Sequence, residues 1–329
     1  MTGLQTKRRG FTRIELLLMI SASCVLAAMG IPVQESSFRV DMRTACAMNL
    51  RVIGQTAIDY AFENDDWVIG SPDGSGAYLQ GQSQAFGASV QSWDFMGPML
   101  HRWEPNAPLP APGDLGAVVA RFNDIRSDSR FLDPANGYQA RHFGGPDAGT
   151  GPMISYNTSR NQLWRESSQP IGNSVTLPSG WRPSVSLMGN PANKVFCADG
   201  SRFTSTFILP EYDLSVNAGF GGAFAADPPY SKFSHSWDRS FAPGNGGRTG
   251  LDPRIYAYRH SIGRPMQGAA ADAFRMNLVF YDGHVETQGD LQSSDPQQWL
   301  PSGSVLETRD VFRDTRRAFQ LRFRVFIGD

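Results

Sequence analysis

Lys7-Arg8-Arg9-Gly10-Phe11-Thr12-Arg13-Ile14-Glu15-Leu16-Leu17-Leu18 opens a stretch that then runs without a charge from Leu16 to Val33. A helix from Phe11 to Val33 would rise roughly 35 Å at about 1.5 Å per residue, enough to cross a hydrocarbon core of about 30 Å. The three cations before it place the short leader in the cytoplasm and send the rest of the chain outward. A secretory signal would begin the same way but end in a small-residue cleavage site, which Ala27-Ala28-Met29 and Gly30-Ile31-Pro32 fit poorly. Glu15 is the oddity, because a carboxylate in a spanning segment is costly and calls for a partner. Arg13 stands two positions away, and residues at that spacing do not share a helix face.

The octet Gly10-Phe11-Thr12-Arg13-Ile14-Glu15-Leu16-Leu17 resembles the type IV prepilin signal that pilins and the pseudopilins of type II secretion systems share. The resemblance implies cleavage between Gly10 and Phe11 by a prepilin peptidase/methyltransferase, and a new N-terminus at Phe11. Glu15 of one subunit would then neutralise the Phe11 amine of its neighbour, which sets a register for a filament. Other pilin or pseudopilin subunits and inner-membrane lipid are the partners this implies.

Met42, Cys46, Leu50, Ile53, Ala57 and Tyr60 recur at steps of three and four, the spacing of an apolar stripe on a helix. Arg39, Asp41, Arg43, Arg51 and Asp59 occupy other faces, which suits a half-exposed helix lying on a domain. Pro32, where pilins often carry a proline, predicts a kink. The spacing therefore predicts one helix over 11–63, spanning over 11–33 and amphipathic over 34–64, that ends at Asn64-Asp65-Asp66.

Beyond it, 34 glycines, 22 prolines and the lack of long helical periodicity before Asp310 predict a β-rich, loop-rich head over 65–329. A net charge of −1, with no basic tract beyond the leader, argues against nucleic acid as a partner. Of the three cysteines, Cys24 lies in the apolar run, while Cys46 and Cys197 either pair or stay free as small hydrophobes. None has a histidine at metal-ligand spacing, so no metal and no cofactor is expected. His101, His142, His235, His260 and His284 sit outside any metalloprotease motif, and no nucleophile elbow or phosphate loop occurs, so the chain does not read as an enzyme.

Two segments echo one another: Lys194-Val195-Phe196-Cys197-Ala198-Asp199-Gly200-Ser201 and Asn277-Leu278-Val279-Phe280-Tyr281-Asp282-Gly283-His284-Val285-Glu286. In each an apolar run meets Asp-Gly, a hairpin signal with a tight primed turn, giving expected hairpins at 194–202 and 277–286. Calcium would need six or more oxygen ligands, and no such acidic spacing is present. The second echo resembles the C-terminal signature of a large group of bacterial prepilin-like proteins, in which a His precedes Asp-Gly by nine residues. Here the matching His260 is followed by an insertion over 261–275, so a contact with Asp282 requires that insertion to bulge out. His284, just after the turn, is expected to hydrogen-bond across it. Fragments Cys46–Gly54, Ile154–Asn157 and Trp299–Gly303 fit the same group, whereas 70–150 and 203–255 resemble nothing. Alternation of Phe319, Leu321, Phe323 and Val325 with Gln320, Arg322 and Arg324 in the tail 311–326 predicts a terminal strand with one buried face, and Arg309–Arg317 before it reads as a short helix or a charged turn.

The fold expected is α+β, a long pilin-like transmembrane helix at the N-terminus on a β-rich, loop-rich globular head. The expected function is a structural subunit of a type IV pilus or type II secretion-like filament, with the leader cytoplasmic and the head extracytoplasmic. The alternative keeps the anchor and makes the head a ligand-binding or adhesive module outside any filament.

Overall fold

The computed structural model describes residues 13–71, 95–106, 124–125, 127–136, 139–141, 150–152, 154–165, 174–200, 225–234, 256–260 and 274–329. Contacts divide the chain into two units, Met1–Met42 and Arg43–Asp329. Helix α1 covers Arg13–Glu63, 51 residues. It stops at a turn in which Asp65 and Asp66 take positive φ (50° and 68°), a conformation that short polar side chains tolerate.

The expected transmembrane helix is overturned. No helix among the described residues is long and apolar enough to cross a membrane. Over 40–63 the helix carries Asp41, Arg43, Asn49, Arg51, Gln55, Asp59 and Glu63, the amphipathic pattern expected of 34–64. The fold class is corrected accordingly, to an α+β unit in which an amphipathic helix lies on sheet.

Within Arg43–Asp329 the strands are β1 (Gln139–Arg141), β2 (Thr150–Pro152), β3 (Tyr156–Ser159), β4 (Val175–Thr176), β5 (Val195–Asp199), β6 (Ala225–Ala226), β7 (Arg275–Phe280), β8 (Val285–Gly289), β9 (Val305–Glu307) and β10 (Arg324–Phe326). The main sheet has the order β6-β3-β5-β7-β8, antiparallel except for β6 beside β3. A smaller sheet is ordered β10-β9-β4, and β1 pairs with β2 alone. Strand β5, Val-Phe-Cys-Ala-Asp, is buried at every position, as suits a central strand covered on both faces. Its register against β7 shifts between Val195 and Cys197, a bulge at Phe196. Phe196 meets Phe95 and Tyr281 edge-on, at centroid distances of 5.8 and 5.4 Å. Phe95 immediately precedes α2 (Met96–Trp103).

Cys46, Leu50, Ile53 and Ala57 of α1 are buried in the core shared with β5 and β7. The approach of helix to sheet is closest at Gly54, where a Cβ would stand 2.4 Å from Val279 Cγ2. Alanine there would gain about 1 kcal/mol of helix propensity, but lifting the helix off β7 costs about 1–3 kcal/mol. Gly54→Ala is therefore expected to destabilise the protein, seen as a lower denaturant midpoint with an unchanged slope; an equal or higher midpoint would contradict this packing.

The predicted terminal strand is also corrected. Residues Arg313–Ala318 form helix α3, the short helix that is one reading of 309–317, and in the tail after it only Arg324–Phe326 pair as a strand, with β9. The chain reverses after α3 through Gln320 at φ 53°, with Leu321 N–H donating to Arg316 O, a helix C-cap that breaks the two-residue period. Of the face expected to be buried, Phe323 is 92% exposed, while Leu321 and Val325 are half-buried against the core.

Candidate functional site

Four segments distant in sequence converge where the buried face of α1 meets the end of β5. Cys46 comes from the helix. Asp133 follows the short turn Ser129–Phe131, which Asn49 of α1 holds by donating from Nδ2 to Ser129 O and Leu132 O, each at 3.0 Å. Asp199 ends β5. His260 closes the segment 256–260, tied to the sheet by Ala257 N–H to Asp199 O, by His260 N–H to Arg275 O and by the bridge between Gly200 and Tyr256.

The four side chains are buried, and their ligand-type atoms all lie within 4.8 Å of one another. Cys46 Sγ–H donates to Asp199 Oδ1 at 2.9 Å, and Tyr156 O–H donates to Cys46 Sγ at 3.6 Å. Asp199 Oδ2 accepts from Asn277 N–H at 2.7 Å, and Asp133 Oδ1 from Ala135 N–H at 2.8 Å. His260 Nε2 lies 3.1 Å from Asp199 Oδ2 and 3.4 Å from Asp133 Oδ2. Neither approach has the alignment of a hydrogen bond, so Asp133 Oδ2 and His260 Nε2 are left unsatisfied among the described residues. Arg259 Nη1 stands 3.6 Å from Asp133 Oδ2, and its Nη2 donates to Gly200 O at 2.9 Å.

Burial by itself pushes the His260 imidazole toward its neutral form, but the Asp199 and Asp133 carboxylates outweigh it and raise its pKa to about 10. Asp133 is opposed by its own burial, and the His260 and Arg259 cations still hold it below the ordinary carboxylate value. The Cys46 thiol is pushed well up, first by burial and then by the two carboxylates. At neutral pH, then, two carboxylates face an imidazolium and a guanidinium across a protonated thiol, a buried cluster of balanced charge.

The residues singled out from sequence fall in several places. Gly10 and Phe11 lie outside the described residues, and Glu15 lies in α1. Asp282 and Gly283 turn β7 into β8, with Gly283 at φ 86°, the left-handed region that glycine enters without strain. Asp282 Oδ1 accepts from His284 N–H at 3.1 Å and sits 2.5 Å from His284 Nδ1, while the His284 ring stacks on Phe280 at 4.2 Å. His260 does not share that turn; its neighbours are Asp199 and Asp133. Asp199 and Gly200 end a strand whose described partners are β3 and β7, and the residues that would complete a hairpin after Gly200 lie outside the described set. Cys46 and Cys197 are buried free thiols. Asp133 carried no signal beyond the Asx-turn chemistry of Asp133-Pro134-Ala135-Asn136.

Comparison with protein-family models, with curated proteins and with solved structures finds no match to this chain.

Proposed function

We propose that the chain is a structural subunit of a type IV pilus-like or type II secretion-like filament, released by cleavage between Gly10 and Phe11 and assembled through its N-terminal helix. The observation that carries this reading is the position of α1. It includes Glu15, within the octet 10–17 that implies the cut, and continues unbroken to Glu63. A second feature agrees with it. Met48, Val52 and Phe62 are 65%, 41% and 91% exposed. At about 100° per residue they fall on the side opposite the buried Cys46, Leu50, Ile53 and Ala57, with Gln55 and Asp59 among them. Large apolar side chains left in solvent on that mixed face are available for lateral contact between like helices.

In this reading a prepilin peptidase/methyltransferase cuts between Gly10 and Phe11, and α1 then packs against the helices of other subunits. The action is mechanical, and no catalytic role is assigned to the head.

Intact mass and N-terminal sequencing of the protein, with and without the host prepilin peptidase, test the proposal. A chain beginning at Phe11 with a methylated amine, lost when the peptidase is absent, is the expected result. An intact leader, or a cut near residue 30, would replace the filament subunit with an independent binding module.

A further inference from the structure

We infer that Cys46, Asp133, Asp199 and His260 form a structural zinc site that ties α1 to the head. The donor set carries the inference. One thiolate sulfur, one imidazole nitrogen and two carboxylate oxygens suit a borderline divalent ion such as Zn²⁺, whereas calcium would require six or more oxygens. Tetrahedral zinc, with Zn–S about 2.3 Å and Zn–N or Zn–O about 2.0 Å, sets its ligand atoms roughly 3.3–3.5 Å apart. The cluster already holds Sγ to Oδ1 at 2.9 Å, and Nε2 to the two carboxylates at 3.1 and 3.4 Å, with all four ligand atoms within 4.8 Å.

The second line of support is what the cluster leaves undone. Asp133 Oδ2 and His260 Nε2 lie 3.4 Å apart with side chains 0% and 1% exposed, and among the described residues neither makes an aligned hydrogen bond. Such groups are costly in a buried site unless something else occupies the space between them. The surroundings also match a ligand shell. Each carboxylate is oriented by a backbone N–H, from Ala135 or from Asn277, and Tyr156 O–H donates to the sulfur. Zn²⁺ entering in place of two protons, one from the thiol and one from the imidazolium, leaves the buried charge unchanged, with Arg259 as the remaining cation. Four protein ligands and no exposed face make the site closed, hence structural.

The test uses the purified full chain, stripped with a chelator and titrated with Co²⁺ and then Zn²⁺. A saturable thiolate-to-cobalt charge-transfer band at about one equivalent, bleached by zinc, is expected. The band should persist in a Cys24→Ala/Cys197→Ala chain, in which Cys46 is the only sulfur of its type left. In Cys46→Ser it should vanish, and zinc affinity should fall at least about 100-fold, beyond the 10–100-fold that loss of an outer-shell partner brings. Absence of a saturable band in the wild type, or its loss in the Cys24→Ala/Cys197→Ala chain, overturns the site. So does a band retained in Cys46→Ser. If Cys46→Ser does not fold, the chain with Cys46 alone decides the question.

Discussion

His260→Ala in chelator-treated protein is expected to lower stability by about 3–5 kcal/mol, the range for removing one partner of a buried ion pair. The reason is a count of charge. Asp133 and Asp199 are both buried, and without the imidazolium only Arg259 among the described residues, at 3.6 Å from Asp133, faces them. Lost ring volume alone would also cost something, so the variant needs a control that separates the two. His260→Ala combined with Asp133→Asn removes one charge of each sign, and its cost should fall short of the sum of the single costs by about 0.5–3 kcal/mol. The pH dependence supplies an independent check. Because the folded imidazole pKa is raised to about 10 from an ordinary value of 6.5, its stabilising contribution is complete below about pH 6.5 and is lost as pH rises through 10. Denaturant unfolding of the wild type should therefore weaken across that window, and His260→Ala should lack that part of the slope. A variant within about 1 kcal/mol of wild type and with the same slope would show that the cluster does not bear this charge.

The contrast between what the chain states locally and what it assembles over distance explains which features were legible. The buried stripe Cys46, Leu50, Ile53, Ala57 follows from a 3.6-residue period, and the Tyr281–His284 turn follows from Asp-Gly chemistry confined to four residues. Nothing comparable announced the four-residue cluster. Cys46 reads as a small hydrophobe on the stripe, Asp199 as a turn residue, His260 as half of a different pairing, and Asp133 as one more loop aspartate. Their meeting depends on β5 lying between β3 and β7, and on the 256–260 segment returning beside its end, which are long-range pairings that no window of sequence encodes. Two expectations failed. The tail was read from a period of two that α3 and the positive φ of Gln320 interrupt, so a weak pattern yielded to a local cap. The spanning helix was read from the uncharged run within 11–33, and no helix among the described residues is long and apolar enough to cross a membrane.

The second large effect concerns Glu15, and it rests on the proposed assembly. Glu15→Ala is expected to reduce incorporation into a filament at least about 100-fold while the chain cleaved at Phe11 accumulates at its normal level. Cleavage frees a cationic amine at Phe11, and the Glu15 carboxylate stands between Ile14 and the apolar run Leu16-Leu17-Leu18, with Thr12 and Arg13 on the side of the amine. Packed among like helices, neither charge has water to solvate it, and each is costly until paired across the subunit boundary. Breaking such a pair costs about 3–5 kcal/mol, and at about 1.4 kcal/mol per tenfold even the lower figure exceeds a hundredfold loss of association. Glu15→Asp keeps the charge on a shorter stem and should retain part of the incorporation, whereas Glu15→Gln, nearly isosteric but neutral, should behave like alanine. That ordering distinguishes charge neutralisation from simple packing, for which glutamine would be the milder change. Co-isolation of processed chain with filament subunits measures each variant, and an unchanged yield for Glu15→Ala would remove the helix-register role on which the filament reading depends.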